Sequence, residues 1–167
     1  MNEIAIEIKR LDTGLALPAY AYPGDAGLDL RSAEDVTLAP FERRFIPTGI
    51  AIAIPQGYAG FVLPRSGLAA RLGLSMVNTP GLIDSQYRGE VKVVAINLDA
   101  NEPIVIKRGD RIAQLVILAH PSVSLIEVNE LNDTERGSGG FGSSGGFGSE
   151  NLSSNGNLSS EGISPHG

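Results

Sequence analysis

The sequence predicts an all-β fold, a jelly-roll-like sandwich or barrel with one short helix, and three observations carry that prediction. Apolar residues recur at every second position in several short stretches. Clusters of turn-forming residues separate those stretches. Ten prolines are spread along the chain and work against long helices, because proline lacks an N–H and collides with the preceding turn. Many short alternating runs with frequent turns suit a sandwich, jelly roll or barrel.

Each element follows from local pattern. Ile4, Ile6 and Ile8 alternate with Ala5, Glu7 and Lys9. Ile50, Ile52 and Ile54 alternate with Ala51 and Ala53. Val91 and Val93 are out of phase with Lys92 and Val94, and Ile112, Gln114, Val116 and Leu118 share a phase. An extended chain points successive side chains to opposite faces, so these runs read as strands. Pro23-Gly24-Asp25, Ala39-Pro40, Pro55-Gln56-Gly57, Asn101-Glu102-Pro103 and Arg108-Gly109-Asp110 read as turns. Ser66-Gly67-Leu68-Ala69-Ala70-Arg71-Leu72 breaks the pattern with good helix formers behind a serine that can cap, and predicts the single helix.

Composition narrows the function. A chain of 167 residues suggests one domain with a substantial core. It has no cysteine, which excludes disulfides and thiolate metal sites, and its two histidines, His120 and His166, are too few for a histidine-built zinc site. The formal charge is −6 without a basic stripe, which disfavours nucleic-acid binding. Met1 to Arg10 lacks a signal-peptide pattern, and Ile112 to Ala119 is too short to span a bilayer, so a soluble cytoplasmic protein without membrane contact is the expectation.

The composition shifts after Arg136. Ten of the 21 glycines fall in residues 137–167, and only Glu150 and Glu161 are charged there. The predicted organisation is a β core over 1–135, a Gly-rich lid over 136–148 and a disordered Ser/Gly/Asn-rich extension over 149–167. Phe141 among glycines suits a lid whose backbone closes on a ligand.

Three clusters can carry chemistry. Pro64-Arg65-Ser66-Gly67 offers forked donors, a hydroxyl and an open amide at a strand-to-helix junction, which suits a phosphate. These four residues alone are better explained by a turn with a capping serine and a surface arginine. In the segment from Asn78 to Lys92, Asp84 beside Leu82 and Ile83 suits a general base, and the Asn78 amide can read a base edge. A hairpin whose aspartate satisfies its own turn is the competing account. In Gly27-Leu28-Asp29-Leu30-Arg31, Asp29 could sit near a metal–phosphate complex, but on these residues alone an ion pair with a neighbouring arginine is the better account. Gln114 in an apolar strand needs a partner if buried, and a backbone hydrogen bond would supply one.

In combination the clusters become specific. Over about residues 1–148 the sequence resembles the trimeric dUTPase family of the bacterial type, whose five motifs match in order. The matches are Ala26 to Leu30, Pro64 to Ala69, Asn78 to Gly89, Arg108 to Gln114 and Arg136 to Gly145. The resemblance implies a jelly-roll-like subunit of the β-clip kind. It implies a homotrimer whose active sites are shared between subunits, and hydrolysis of dUTP to dUMP and pyrophosphate. Asp84 would activate the water that attacks the α-phosphorus. Tyr87 would pack on the sugar, and Asn78 with Gly81, Leu82 and Ile83 would recognise uracil. Arg65, Ser66, Gly67 and Gln114 would hold phosphates, with Lys92 near the substrate. Asp29 would bind Mg²⁺ through water. Arg136 would hold the γ-phosphate while Phe141, beside Gly142, stacks over uracil. The cellular role so implied is limiting uracil in DNA and supplying dUMP for dTMP synthesis. The alternatives are a dCTP deaminase or bifunctional deaminase–dUTPase of the same fold, and a non-catalytic trimeric regulatory binding protein. The Gly-Phe-Gly of the fifth motif and Tyr87 weigh against the first. The intact Asp84, Arg65, Gln114 and Arg136 weigh against the second.

Overall fold

The alternating runs become ten strands and one helix in the computed structural model, which describes residues 3–139. In chain order these are β1 (Glu7–Arg10), β2 (Leu28–Arg31), β3 (Val36–Leu38), β4 (Arg43–Ala53), β5 (Tyr58–Pro64), α1 (Ser66–Leu72), β6 (Leu74–Met76), β7 (Gly81–Ile83), β8 (Glu90–Asn97), β9 (Ile104–Ile106) and β10 (Arg111–Ala119). They form two four-stranded sheets, ordered β1-β4-β8-β6 and β2-β10-β5-β7, and a ribbon of β3 and β9. Every pairing is antiparallel. The chain divides into two units, Met1–Val123 and Ser124–Gly167, and all the strands and the helix lie in the first.

The inward residues of all three sheets meet in one core. Ile46, Ile50 and Ile52 come from β4, and Val91, Val93 and Ala95 from β8. Leu30, Val62, Ala113 and Leu115 face them from the other large sheet, and Val36, Leu38, Ile104 and Ile106 close one side. Alternation in β8 is as the sequence predicts, with Val91 and Val93 buried and Lys92 exposed. β4 is buried more deeply than its alternation implies, because β1 and β8 flank it and Ala51 is buried along with Ile50 and Ile52. Its register on β8 shifts between Pro47 and Ala51, which is where a strand tolerates a residue without an N–H. Asn97 is fully buried, and its side chain donates to the Leu38 and Glu102 carbonyls at 3.1 and 2.9 Å while accepting from the Asp99 N–H.

Three local expectations change. The first run becomes a strand only from Glu7, and all of β1 is exposed. Ser66 is the first residue of α1 rather than its cap. Arg65 takes the cap position in an extended conformation, without a side-chain cap bond. In β10 the register slips between Arg111 and Ala113, so Ile112 is buried together with Ala113 and Leu115. A bulge inserts one residue and reverses the phase that follows. Gln114 and Val116 therefore leave the face of Ile112 and turn to the wall of a cavity.

The second unit has no strand or helix among its described residues. Val123, the last residue of the first unit, is exposed, as are Leu125, Ile126, Val128 and Leu131 of the second. Two turns follow, with Gly137 N–H donating to Thr134 and Gly139 N–H to Arg136.

Candidate functional site

The register of three strands assembles the first half of the site. Gln114 of β10 faces Asp29 of β2 on one side and Leu63 of β5 on the other. This brings the first, second and fourth sequence motifs together where β5 runs into α1. They line a cavity of about 580 Å³ whose walls include Asp29, Arg65, Ser66, Gly67 and Gln114. Asp29 is largely buried, with 13% of its side chain exposed, and both its oxygens are engaged. One accepts from Arg65 Nε at 2.9 Å and the other from Arg111 Nη1 at 3.0 Å. Gln114 Nε2 donates to the Pro64 carbonyl at 3.0 Å, so its partner is backbone. Gly27 passes so close to Gln114 that a Cβ there would lie 2.6 Å from Oε1. A side chain at residue 27 would push the glutamine out of the cavity wall.

Arg111 carries no role in the sequence reading, although it stands inside the fourth motif. Its signal was weak, because two arginines flank that Gly-Asp turn and only the fold separates them. Arg108 points away from the cavity and forms a forked pair with Asp12, with contacts of 2.7 and 2.8 Å. This pair holds the Asp12 carboxyl below its ordinary value, aided by the Gly14 N–H. Arg31 Nη1 donates to the Gly109 carbonyl at 2.7 Å, so the turn before β10 is held from two sides. Sequence reasoning also passed over Asp25 and Arg71, which line the same cavity.

The second half lies elsewhere in the chain. Leu82, Ile83, Asp84, Tyr87 and Lys92 line a separate cavity of about 240 Å³ with Phe45, Glu90 and Val91. Tyr87 N–H donates to the Asp84 carbonyl in a turn, and the Tyr87 hydroxyl donates to the Glu90 carbonyl at 3.0 Å. The phenol oxygen is thereby occupied, and the half-exposed ring face is left free for contact. Asn78 stands at the head of β7, its amide nitrogen 3.3 Å from where a Gly81 Cβ would be.

The two halves do not meet within one chain. Val62 pairs with Gly81 and Gly60 with Ile83, so β7 runs back along β5 and Asp84 comes level with Ala59. Arg65 is six residues further along, or roughly 20 Å at about 3.3 Å per residue. Arg136, in the second unit, donates from Nε to the Gly139 carbonyl at 2.8 Å. Phe141, Gly142 and the rest of the predicted lid and extension beyond residue 139 lie outside the described residues.

The described residues contain no cluster of three or more acidic, histidine or cysteine side chains able to cage a metal. They also contain no helix long and apolar enough to cross a membrane. Asp29 is the deepest acid of the large cavity, and with both oxygens on arginines it suits contact with a hydrated ion better than direct ligation.

Comparison with known proteins agrees with the sequence resemblance. The dUTPase family model matches residues 14–145. A deoxyuridine 5'-triphosphate nucleotidohydrolase of Thermobifida fusca is 59% identical over 141 residues, covering 84% of this chain and 79% of the relative. One of Mycobacterium tuberculosis is 56% identical over 144 residues, covering 83% and 94%. Among solved structures, the Staphylococcus bacteriophage 80alpha dUTPase with dUPNHPP superposes with a TM-score of 0.78 at 33% identity, covering 84% of this chain and 98% of that one. A mutant dUTPase from phage phi11 of S. aureus, described with the coordination of a structural Mg(II) ion, superposes at 0.70 and 28% identity, covering 76% and 98%. With the family model spanning most of its length and relatives more than half identical, the chain belongs to the dUTPase family.

Proposed function

We propose that the chain hydrolyses dUTP to dUMP and pyrophosphate at sites built between copies of itself. The observation that carries this reading is the split of the predicted machinery into two cavities at opposite ends of β5. Asp84 cannot activate water for a phosphate held on Arg65 of the same chain at that separation. Copies in a closed ring solve the problem, each lending a half-site to the next, and a homotrimer is the ring that family membership favours. The exposed apolar run from Val123 to Leu131 gives such an assembly surface to cover.

Phosphate anhydride cleavage needs charge neutralisation and positioning more than covalent chemistry. Arg65, Ser66, Gly67 and Gln114 hold the phosphates, and Asp29 keeps the guanidinium of Arg65 in place. Asn78, Gly81, Leu82 and Ile83 receive the base. The ring of Tyr87 packs on the sugar where a 2′-hydroxyl would collide, and Lys92 lies near the substrate. Asp84 takes the proton from the attacking water. Arg136, Phe141 and Gly142 complete the enclosure over the γ-phosphate and the base. Asp29 would hold Mg²⁺ through water, and the ion would supply positive charge against the triphosphate. The site so described belongs to a cytoplasmic enzyme of deoxynucleotide metabolism.

Pyrophosphate release from dUTP, dCTP, dTTP and UTP, each with Mg²⁺ and with chelator, tests the reading. Rapid Mg²⁺-dependent release from dUTP alone is expected. Release from none of the four by folded protein contradicts it, and ammonia release from dCTP moves the chain to the deaminase branch.

A further inference from the structure

We propose that Arg71 is an additional phosphate-binding residue of the large cavity, holding the part of the triphosphate that leaves as pyrophosphate. The assignment rests on the hydrolytic reading above and extends it to a residue outside the predicted site.

Three arginines line that cavity, and two of them are committed. Arg65 and Arg111 both pair with Asp29. Arg71 has no ion-pair partner among the described residues, so it is the one guanidinium of the three not committed to a carboxylate. Counting Asp25 and Asp29 against the three arginines, the wall carries a net charge of +1. A triphosphate needs more positive charge than that, so an uncommitted guanidinium has a clear use.

The direction of the side chain separates this role from the ordinary one. Arg71 lies in the last turn of α1, where a basic residue normally serves the helix by facing its C-terminal carbonyls. Here the guanidinium reaches one turn back. Its Nη2, Cζ and Nη1 lie 3.6, 3.8 and 3.9 Å from where a Cβ on Gly67 would be. Residues four apart share a helix face, and side chains lean toward the N-terminus, so the sequence spacing itself delivers the charge to Gly67. Gly67 and Ser66 are the groups already assigned to phosphate. With Asp84 and Tyr87 taking the nucleoside and the α-phosphorus from the other half-site, the phosphates beyond fall to Arg71.

The test compares Arg71→Gln and Arg71→Lys with wild type in the full chain. The measured quantities are dUTP turnover and competitive inhibition by inorganic pyrophosphate and by dUMP. Loss of one charge-assisted contact raises KM for dUTP and Ki for pyrophosphate about tenfold in Arg71→Gln. Under this assignment the Ki for dUMP stays near wild type. Arg71→Lys recovers part of the loss, since it keeps the charge but not the fork. An unchanged pyrophosphate Ki in Arg71→Gln overturns the proposal, and so does an equal loss of dUMP affinity. Absence of dUTP turnover in wild type would instead count against the hydrolytic reading. Pyrophosphate titration calorimetry on the same three proteins then decides the role of Arg71 by the same two results.

Discussion

Asp84 carries the chemistry in this account, and its replacement separates binding from turnover. Asp84→Asn keeps the shape but cannot accept a proton from water. Turnover should fall by about 10²–10⁴-fold while nucleotide affinity is retained. Near-normal kcat in steady-state assays would remove Asp84 from the mechanism. A second residue bears on stability. Phe41 follows Pro40 in a turn closed by the Glu42 N–H on the Ala39 carbonyl, and it adopts φ 59° with the residue 63% exposed. That backbone region is comfortable for glycine and costs a side-chain-bearing residue about 1–2 kcal/mol. Part of the gain from glycine is lost to chain entropy. Phe41→Gly should still raise the unfolding free energy by about 0.5–1 kcal/mol, read as a higher denaturant midpoint with an unchanged slope.

Ion pairs at strand ends hold the elements that frame the large cavity. Asp12 pairs with Arg108, and Asp35 accepts from the Arg108 N–H and from Lys107. Both carboxyls sit below their ordinary value of 3.8, Asp12 chiefly through the Arg108 side chain and Asp35 chiefly through the Arg108 N–H. A depressed carboxyl stabilises the fold fully above its unfolded value and loses that contribution as pH falls through the lower folded value. The destabilisation caused by Asp12→Asn should therefore be present at pH 7 and shrink below pH 3.8. A pH-independent difference in urea midpoint would show that the pair contributes nothing through its charge. At this scale the sequence was legible where one face of a strand is buried, as Val91 and Val93 show against Lys92. It was not legible at bulges. Nothing in the run from Ile112 to Leu118 announces the slip that buries Ile112 with Ala113 and turns Gln114 to the cavity. The clustering of Arg65, Ser66 and Gly67 at one cavity could be read because the three are contiguous. Arg111 could not, because its partner Asp29 is 82 residues away in sequence and meets it only through strand pairing.

The whole molecule must explain why residues proposed to act together are folded apart. The order β2-β10-β5-β7 places the strand of Asp29 and the strand that ends just before Asp84 at opposite edges of one sheet. Their motifs occupy different cavities. Contiguous motifs reveal each half-site, but the sequence of a single chain does not state which copy supplies which half. Subunit complementation measures this directly. Asp84→Asn and Arg65→Gln are prepared separately, each expected to be nearly inactive, then unfolded together in equal amounts and refolded. If each site takes its halves from two copies, random assembly leaves about a quarter of the sites with both halves intact, and about a quarter of wild-type dUTP turnover returns. A mixture of folded, assembled protein that stays as inactive as its two components would contradict the account, because each site would then be drawn from one chain.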